Sequence, residues 1–225
     1  MADKYIQAPK LMDIAKYFYS ILWLFRRQFV KPSYFKFNNR DYIYFSHPYN
    51  GTWMNERAVE ISLIWEEVSS YAPDAVLEVG NVLSHYFDVK HMVVDKYEKF
   101  VGGIAEDIID VDLTGKFDCI VSISTVEHIG WDEIPRVPGK HMLAIKKMRQ
   151  LLQPGGKMFI TFPLGHNSSL DQDLFSGKLD CDQMFYFKRL TRETWVESSQ
   201  DQVRGSTYGK KYRSTDGLAV CMWRG

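Results

Sequence analysis

Five short stretches carry residues whose types and spacing can do chemistry. VLEVGN (76–81) closes an apolar run with Glu78, Gly80 and Asn81. HMVVDK (91–96) closes another with Asp95 and Lys96, and IAEDI (104–108) sets Asp107 beside Ile108. SISTVEHIG (122–130) brings Ser124, Glu127 and His128 to the end of a fourth apolar run, and PLGHNSSLD (163–171) carries His166. A carboxylate such as Asp95, ending the second apolar run, can accept hydrogen bonds from both hydroxyls of a ribose and would repel a phosphorylated one. Gly80 lets the chain turn sharply and approach a ligand closely. His128 can act as general base toward a hydroxyl, with Glu127 to orient it or to contact a cofactor. A residue that only shapes the pocket is the other reading of His128. His166 reads as a second candidate base, on a loop bordering the acceptor, or as a surface-loop residue, and His85 is expected to pack on a helix after the first loop.

The loop after Glu78 lacks the glycines of a pyrophosphate cradle. Val82 and Ser84 stand where further glycines would expose backbone N–H groups to two phosphates. That argues against a nicotinamide or flavin dinucleotide and for an adenosine-type cofactor without phosphates, such as S-adenosylmethionine.

The elements that must position these residues are short apolar strands. AVLEV (75–79), HMVVD (91–95), IAEDI (104–108), FDCIVSIS (117–124) and KMFITF (157–162) alternate with helical segments, one of them spanning 140–152 before PGG (154–156). This rhythm predicts a mostly parallel sheet with helices on both faces. LAVCMWR (218–224) adds a last strand. TRETWVESS (191–199) reads as helical from an N-cap at Thr191. Ligands in such sheets sit beyond the carboxyl ends of the strands.

Residues 1–72 precede this core. The spacing of Leu11, Ile14, Phe18, Leu22, Phe25 and Phe29 predicts an amphipathic helix over 11–29, with Asp13, Lys16, Ser20 and Arg27 opposite. Its apolar face suits the domain, a second subunit, or the headgroup region of a membrane. YFKFNNRDYIYFS (34–46) predicts an aromatic hairpin turning at Asn38-Asn39. Thr52 or Asn55 caps a helix running to about Ser70.

The chain has 225 residues, is 45% hydrophobic, and carries no formal net charge. Neutrality removes the electrostatic argument for nucleic acid. Lys4, Lys10, Lys16, Arg26, Arg27, Lys31, Lys36 and Arg40 nonetheless concentrate positive charge before residue 41. Three widely spaced cysteines form no CxxC pair, which predicts a reducing, cytoplasmic setting, peripheral to the membrane if the first helix lies on it. No acid–histidine cluster has metal-ligand spacing. Asp171, Asp173, Asp180 and Asp182 read as a solvated acidic loop.

The order of motifs resembles the class I S-adenosylmethionine-dependent methyltransferases over about residues 75–165. The motifs are VLEVG, VVDKY, AEDI, KFDCIVSISTVEHIG and LLQPGGKMFITFPLG. The resemblance implies a Rossmann-like α/β fold with an antiparallel C-terminal strand and a core from residue 73 to 225. It implies S-adenosylmethionine as cofactor and S-adenosylhomocysteine as product. Glu78, Gly80, Asn81, Val82, Asp95, Lys96, Asp107, Ile108 and Ser124 would bind the cofactor, and His128 and Glu127 would serve catalysis. A nucleic-acid acceptor is disfavoured by the lack of an Asn/Asp-Pro-Pro-aromatic motif after the fourth strand.

The acceptor must be read from the additions. Residues 163–190 are expected to be an insertion walling the acceptor pocket. There Phe175, Phe185, Tyr186, Phe187 and Arg189, with nearby acids, suit a sugar. More loosely, the chain is similar to methyltransferases of bacterial surface glycans, so the expected reaction is O-methylation of a sugar or other polar acceptor. A catalytically silent module of the same fold is the alternative.

Overall fold

The computed structural model describes residues 11–99 and 102–225; the side chains of residues 11–18 and of Arg27 lie outside that description. Lys4, Lys10 and part of the apolar stripe of the first helix therefore fall outside it.

Seven strands form the main sheet in the order β4-β3-β5-β6-β9-β7-β8. β3 (Val76–Val79), β4 (Met92–Val94), β5 (Phe117–Ile123) and β6 (Leu152–Pro163) run parallel. β9 (Gly217–Arg224) is antiparallel to both β6 and β7 (Gln183–Arg189), and β8 (Trp195–Ser198) closes the edge. The four parallel strands are apolar on both faces because both faces are covered. On one face α3 (Lys140–Leu151), α4 (Ser168–Phe175) and α5 (Gln200–Val203) pack through Ala144, Met148, Leu170 and Val203 against Leu77, Ile120 and Ile160. On the other, α2 (Arg57–Val68) packs Ile61, Ile64 and Val68 against Val76, Cys119 and Val121. A two-stranded hairpin, β1 (Tyr34–Phe37) and β2 (Arg40–Ile43), extends this second face, where Phe35 meets Phe187 and Trp195. It turns at Asn38 and Asn39, whose φ values of 49° and 62° suit asparagine.

Four expectations change. IAEDI is not a full strand: only Ile104 bridges to Val94. No helix follows the first loop, which makes a single 3₁₀ turn over Leu83–His85, so His85 stacks on Tyr49 instead. TRETWVESS gives strand β8, because β7 offers a free edge and Trp195 is buried against it. Residues 163–190, expected as an insertion walling a pocket, supply α4 and the sheet strand β7.

That last change reassigns the aromatic and basic residues placed around a sugar. Phe187 is fully buried in the second face, and Phe185 packs edge-on against Phe37. Arg189 is 2% exposed and donates to the carbonyls of Met54, Arg192 and Thr215 and to Ser214 Oγ. It is a structural tie between β7, the segment before α2 and the loop before β9.

The first helix, α1 (Leu11–Phe29), touches the body through Tyr19 on Trp53, Trp23 on Ser46, and Arg26 paired with Glu193 at 2.7 Å. Ile21, Leu24, Phe25 and Phe29 remain 60–67% exposed. Among the described residues no helix is long and apolar enough to cross a membrane.

Arg189→Met removes a buried cation whose partners are mostly backbone carbonyls with no substitute donor. Urea unfolding of this variant is expected to show a loss of about 2–4 kcal/mol.

Candidate active site

The carboxyl ends of β3, β4 and β5 open onto a cavity of about 410 Å³, lined by Gly80, Asp95, Lys96, Asp107, Ile108, Ser124 and His128 among others. Gly80 explains why the strand ends can approach. Its φ is +89°, and a Cβ there would lie 2.0 Å from Thr125 Oγ1. Its N–H donates to Val94 O, carrying the β3–β4 pairing into the loop.

Glu78, Asn81 and Val82, expected in the cofactor site, are not among the lining residues. Glu78 is fully buried and accepts from the N–H groups of Val82 and Leu83 at 2.9 and 2.8 Å, while its other oxygen holds His91 at 2.8 Å. It is the clamp of the loop. Val82 turns into the core beside Ile61 and Val121. Ser84 donates to Asn81 Oδ1 at 2.5 Å. The two residues that break the glycine pattern thus shape the loop, Val82 through the core and Ser84 through its bond to Asn81.

Asp95 faces the cavity and holds its rim. Oδ2 accepts from Asn81 N at 2.8 Å, and Oδ1 from Tyr97 N and Glu98 N at 2.8 and 2.7 Å. A carboxylate offers about four acceptor sites, so about one stays open toward a ligand. Lys96 and Asp107 belong to a charge ring with Glu133 and Lys140, at Nζ···O distances of 2.6–3.2 Å. Burial pushes the Asp107 carboxyl up, but hydrogen bonds from Lys140, the Ile109 N–H and Lys96 outweigh it and hold it below the ordinary range.

Behind the cavity lies a buried acidic group that the sequence reading missed. Glu60 Oε1 accepts from Ser124 Oγ and Thr161 Oγ1, both at 2.7 Å, and Oε2 from Arg57 at 3.1 Å. Ser124 lines the cavity at φ +38°, but its hydroxyl points away from the ligand space, to Glu60. Glu127 is 1% exposed, and neither of its carboxylate oxygens has a hydrogen-bond partner. Burial raises its pKa well above the ordinary carboxylate value, with the nearby Glu60 adding to it. The detectable signal for Glu60 was an acid on the apolar face of an amphipathic helix.

His128 sits at the cavity edge. Its Nδ1 meets Asp132 Oδ2 at 2.6 Å, and its Nε2 is 3.5 Å from Glu127 Oε1. The His166 ring lies 4.6 Å from it, and Tyr208 stands 4.9 Å beyond His166. Asn167 ties these segments: it caps α4 through Ser169 and Leu170 and donates to Glu127 O. Tyr208 lines a second cavity of about 570 Å³ with Asn50, Asn55, Glu56, Arg192 and Lys211. The expectation of no acid–histidine cluster also changes. The ligand atoms of His128, Asp132 and His166 all lie within 4.8 Å of one another, because two adjacent parallel strands, β5 and β6, end side by side. Asp171, Asp173, Asp180 and Asp182 are separately engaged, by Gly165, His141, Arg149 and Arg224.

A larger cavity, about 820 Å³, lies between α1, the hairpin and α2 and shares no lining residue with the one beyond the strand ends. Its walls are aromatic, with Trp23, Tyr44 and Trp65, and bring no strand-end acid or histidine together.

The strand order, the antiparallel β9 and the cavity beyond the parallel strand ends define a Rossmann-like α/β sheet, mostly parallel with an antiparallel C-terminal strand. No protein-family model matches the chain, and no curated protein sequence does. Solved structures that the chain matches in part include the N-methyltransferase NodS from Bradyrhizobium japonicum in complex with S-adenosyl-L-homocysteine. It is 13% identical over 76% of this chain and 87% of that one, at a TM-score of 0.48. An rRNA methylase from Streptococcus thermophilus is 9% identical over 73% and 97%, at 0.44. CalS10, an amino pentose methyltransferase from Micromonospora echinaspora, is 19% identical over 48% and 50%, at 0.32.

Asp171 gives a pH test of this corner. It accepts from Gly165 N, beside His166, while Oδ1 is buried without a partner, and burial pushes its pKa up to about 6. Ionisation therefore opposes folding above that pH and not below the ordinary value of 3.8. Asp171→Asn keeps the acceptor oxygen. It is expected to be more stable than the parent by about 1–2 kcal/mol at pH 8. The gap should close as pH falls through 6 toward 4 in parallel thermal melts.

Proposed function

We propose that this chain is an S-adenosylmethionine-dependent methyltransferase that methylates an oxygen of a sugar or other polar acceptor. The observation that carries the reading is the row of rings His128, His166 and Tyr208. It joins the cavity beyond the strand ends to a second, polar cavity.

Two features fit the cofactor. Asp95 keeps an acceptor position facing the cavity, as a ribose diol needs. Gly80, without a side chain, lets the loop after β3 close against Thr125 at the edge of the cavity. When bound, S-adenosylmethionine supplies a methyl group already activated by its sulfonium. The chain's task is then to bind, align and take a proton. Asp132 holds the imidazole of His128, whose place between the two cavities suits a base for the acceptor hydroxyl. Tyr208, Asn50 and Asn55 offer the aromatic face and amides that a sugar ring uses, and Arg192, Lys211 and Arg213 favour an acceptor bearing an anionic group. The unpartnered carboxylates of Glu56 and Glu127 favour a second reading, an amine acceptor. The exposed apolar residues of α1, next to Lys31, support peripheral contact with an anionic membrane in a cytoplasmic setting, or a second copy of the chain.

Isothermal titration with S-adenosylhomocysteine tests the cofactor. Binding is expected for the parent chain, weakened by about 1–3 kcal/mol in Asp95→Ala. No binding by the parent would leave a silent module of the same fold. Incubation with hydroxylated and amino sugars, read by mass spectrometry for one added methyl group, tests the acceptor. Products only from amino sugars would overturn the oxygen assignment. His128→Ala is expected to slow transfer about a hundredfold with cofactor affinity unchanged.

A further inference from the structure

We propose that His128, Asp132 and His166 form a binding site for a divalent transition-metal ion at the mouth of the cofactor cavity. Their ligand atoms lie within 4.8 Å of one another, the single such group among the described residues. His128 Nδ1 is 2.6 Å from one Asp132 oxygen, and His166 Nε2 is 3.6 Å from the other. Ligand atoms around a tetrahedral zinc stand about 3.3 Å apart, so small rotations of these side chains would seat an ion. Two imidazoles and one carboxylate are the donors of a zinc, iron or manganese site with open positions, and a poor set for calcium or magnesium.

Two further observations point to a ligand here. The Nε2 of His166 is buried with no hydrogen-bond partner. Glu127, 1% exposed and unpartnered at both oxygens, faces the far nitrogen of His128 at 3.5 Å. A metal-bound histidine characteristically gives its other ring N–H to a carboxylate, which fixes the ring and its tautomer. Glu127 stands where that positioning residue belongs, and the site gives its buried carboxylate a use. The backbone supports the arrangement: Gly165, at φ +84°, packs against Ser206 and Thr207 so closely that a side chain would not fit, which aims His166 at His128.

The ion's role rests on the proposed oxygen acceptor; its binding does not. A hydroxyl bound in an open position would lose its proton to solvent water more readily, and His128 would then be a ligand instead of a base.

The test uses the untagged chain, stripped with a chelator and titrated with Co²⁺ and with Zn²⁺. One tight site with visible Co²⁺ bands is expected. His166→Ala and Asp132→Asn should weaken binding at least tenfold with unchanged circular dichroism, and His85→Ala should not. Glu127→Gln should retain binding but alter the Co²⁺ spectrum. A parent chain that binds no more tightly than His166→Ala overturns the site. Titrating S-adenosylhomocysteine into the same stripped chain reports the cofactor cavity separately, so failure of one reading is visible apart from the other. Methyl transfer that persists undiminished in stripped chain would overturn the ion's role and return His128 to base.

Discussion

The contact between Gly80 and Thr125 sets the geometry on which the site depends. A hydrogen in place of a side chain lets the loop after β3 lie against the turn after β5. The cavity opens beside that contact, with apolar Val94 and Ile108 and acidic Asp95 and Asp107 among its lining residues. Because Gly80 also donates to Val94 O, the ends of three strands are fixed by one residue that has no side chain. The rest of the loop follows from the buried face. Glu78 accepts two consecutive backbone N–H groups, which would otherwise be orphaned inside the core. A loop clamped from within does not need glycines to reach its shape, which is how Val82 and Ser84 come to stand where they do.

The same logic runs through the second layer. Glu60 gathers Ser124 from the end of β5, Thr161 from β6 and Arg57 from its own helix. It thereby fixes α2 across the strand ends. Removing a charge from water is unfavourable unless its lone pairs are used, and Glu60 uses them. Glu127, nearby, does not. Two neighbouring acids therefore differ in kind: one holds structure, and the other holds unspent hydrogen-bonding capacity beside a cavity. Unpaired polar atoms in a core are costly enough to mark a place where something binds.

Much of this was legible in the sequence. Apolar runs ending in acids gave the parallel strands and the end of the sheet that carries chemistry, and they led to Asp95, Asp107 and Ser124 at the cavity. The limits were physical. Val82 and Glu78 sit in the right loop, but the direction of a side chain depends on the burial of its neighbours, which motif spacing does not encode. TRETWVESS has a helix N-terminus in its local signals, yet an open edge on β7 outweighed them, as tertiary pairing often does for short segments. The aromatic residues of 183–189 looked like a sugar platform because a strand seen without its partners resembles an exposed aromatic loop. Their alternation, with Tyr186 and Phe187 buried on opposite faces, was the available clue.

The corner around the row of rings was the least legible because it is assembled from four separated segments. Asn50 and Asn55 precede α2, His128 follows β5, His166 follows β6, and Tyr208 precedes β9. No local pattern links them; only the sheet order does. β9 enters antiparallel beside β6, so the start of one strand and the end of the other share a corner. Arg189 then pins that corner to the segment before α2 through Met54 O and Ser214. The polar cavity is thus a consequence of the antiparallel final strand, and the row of rings is its boundary with the cavity beyond the strand ends. A chain that keeps β9, Arg189 and Gly80 can change the residues at this corner without disturbing the sheet or the cavity beyond the strand ends.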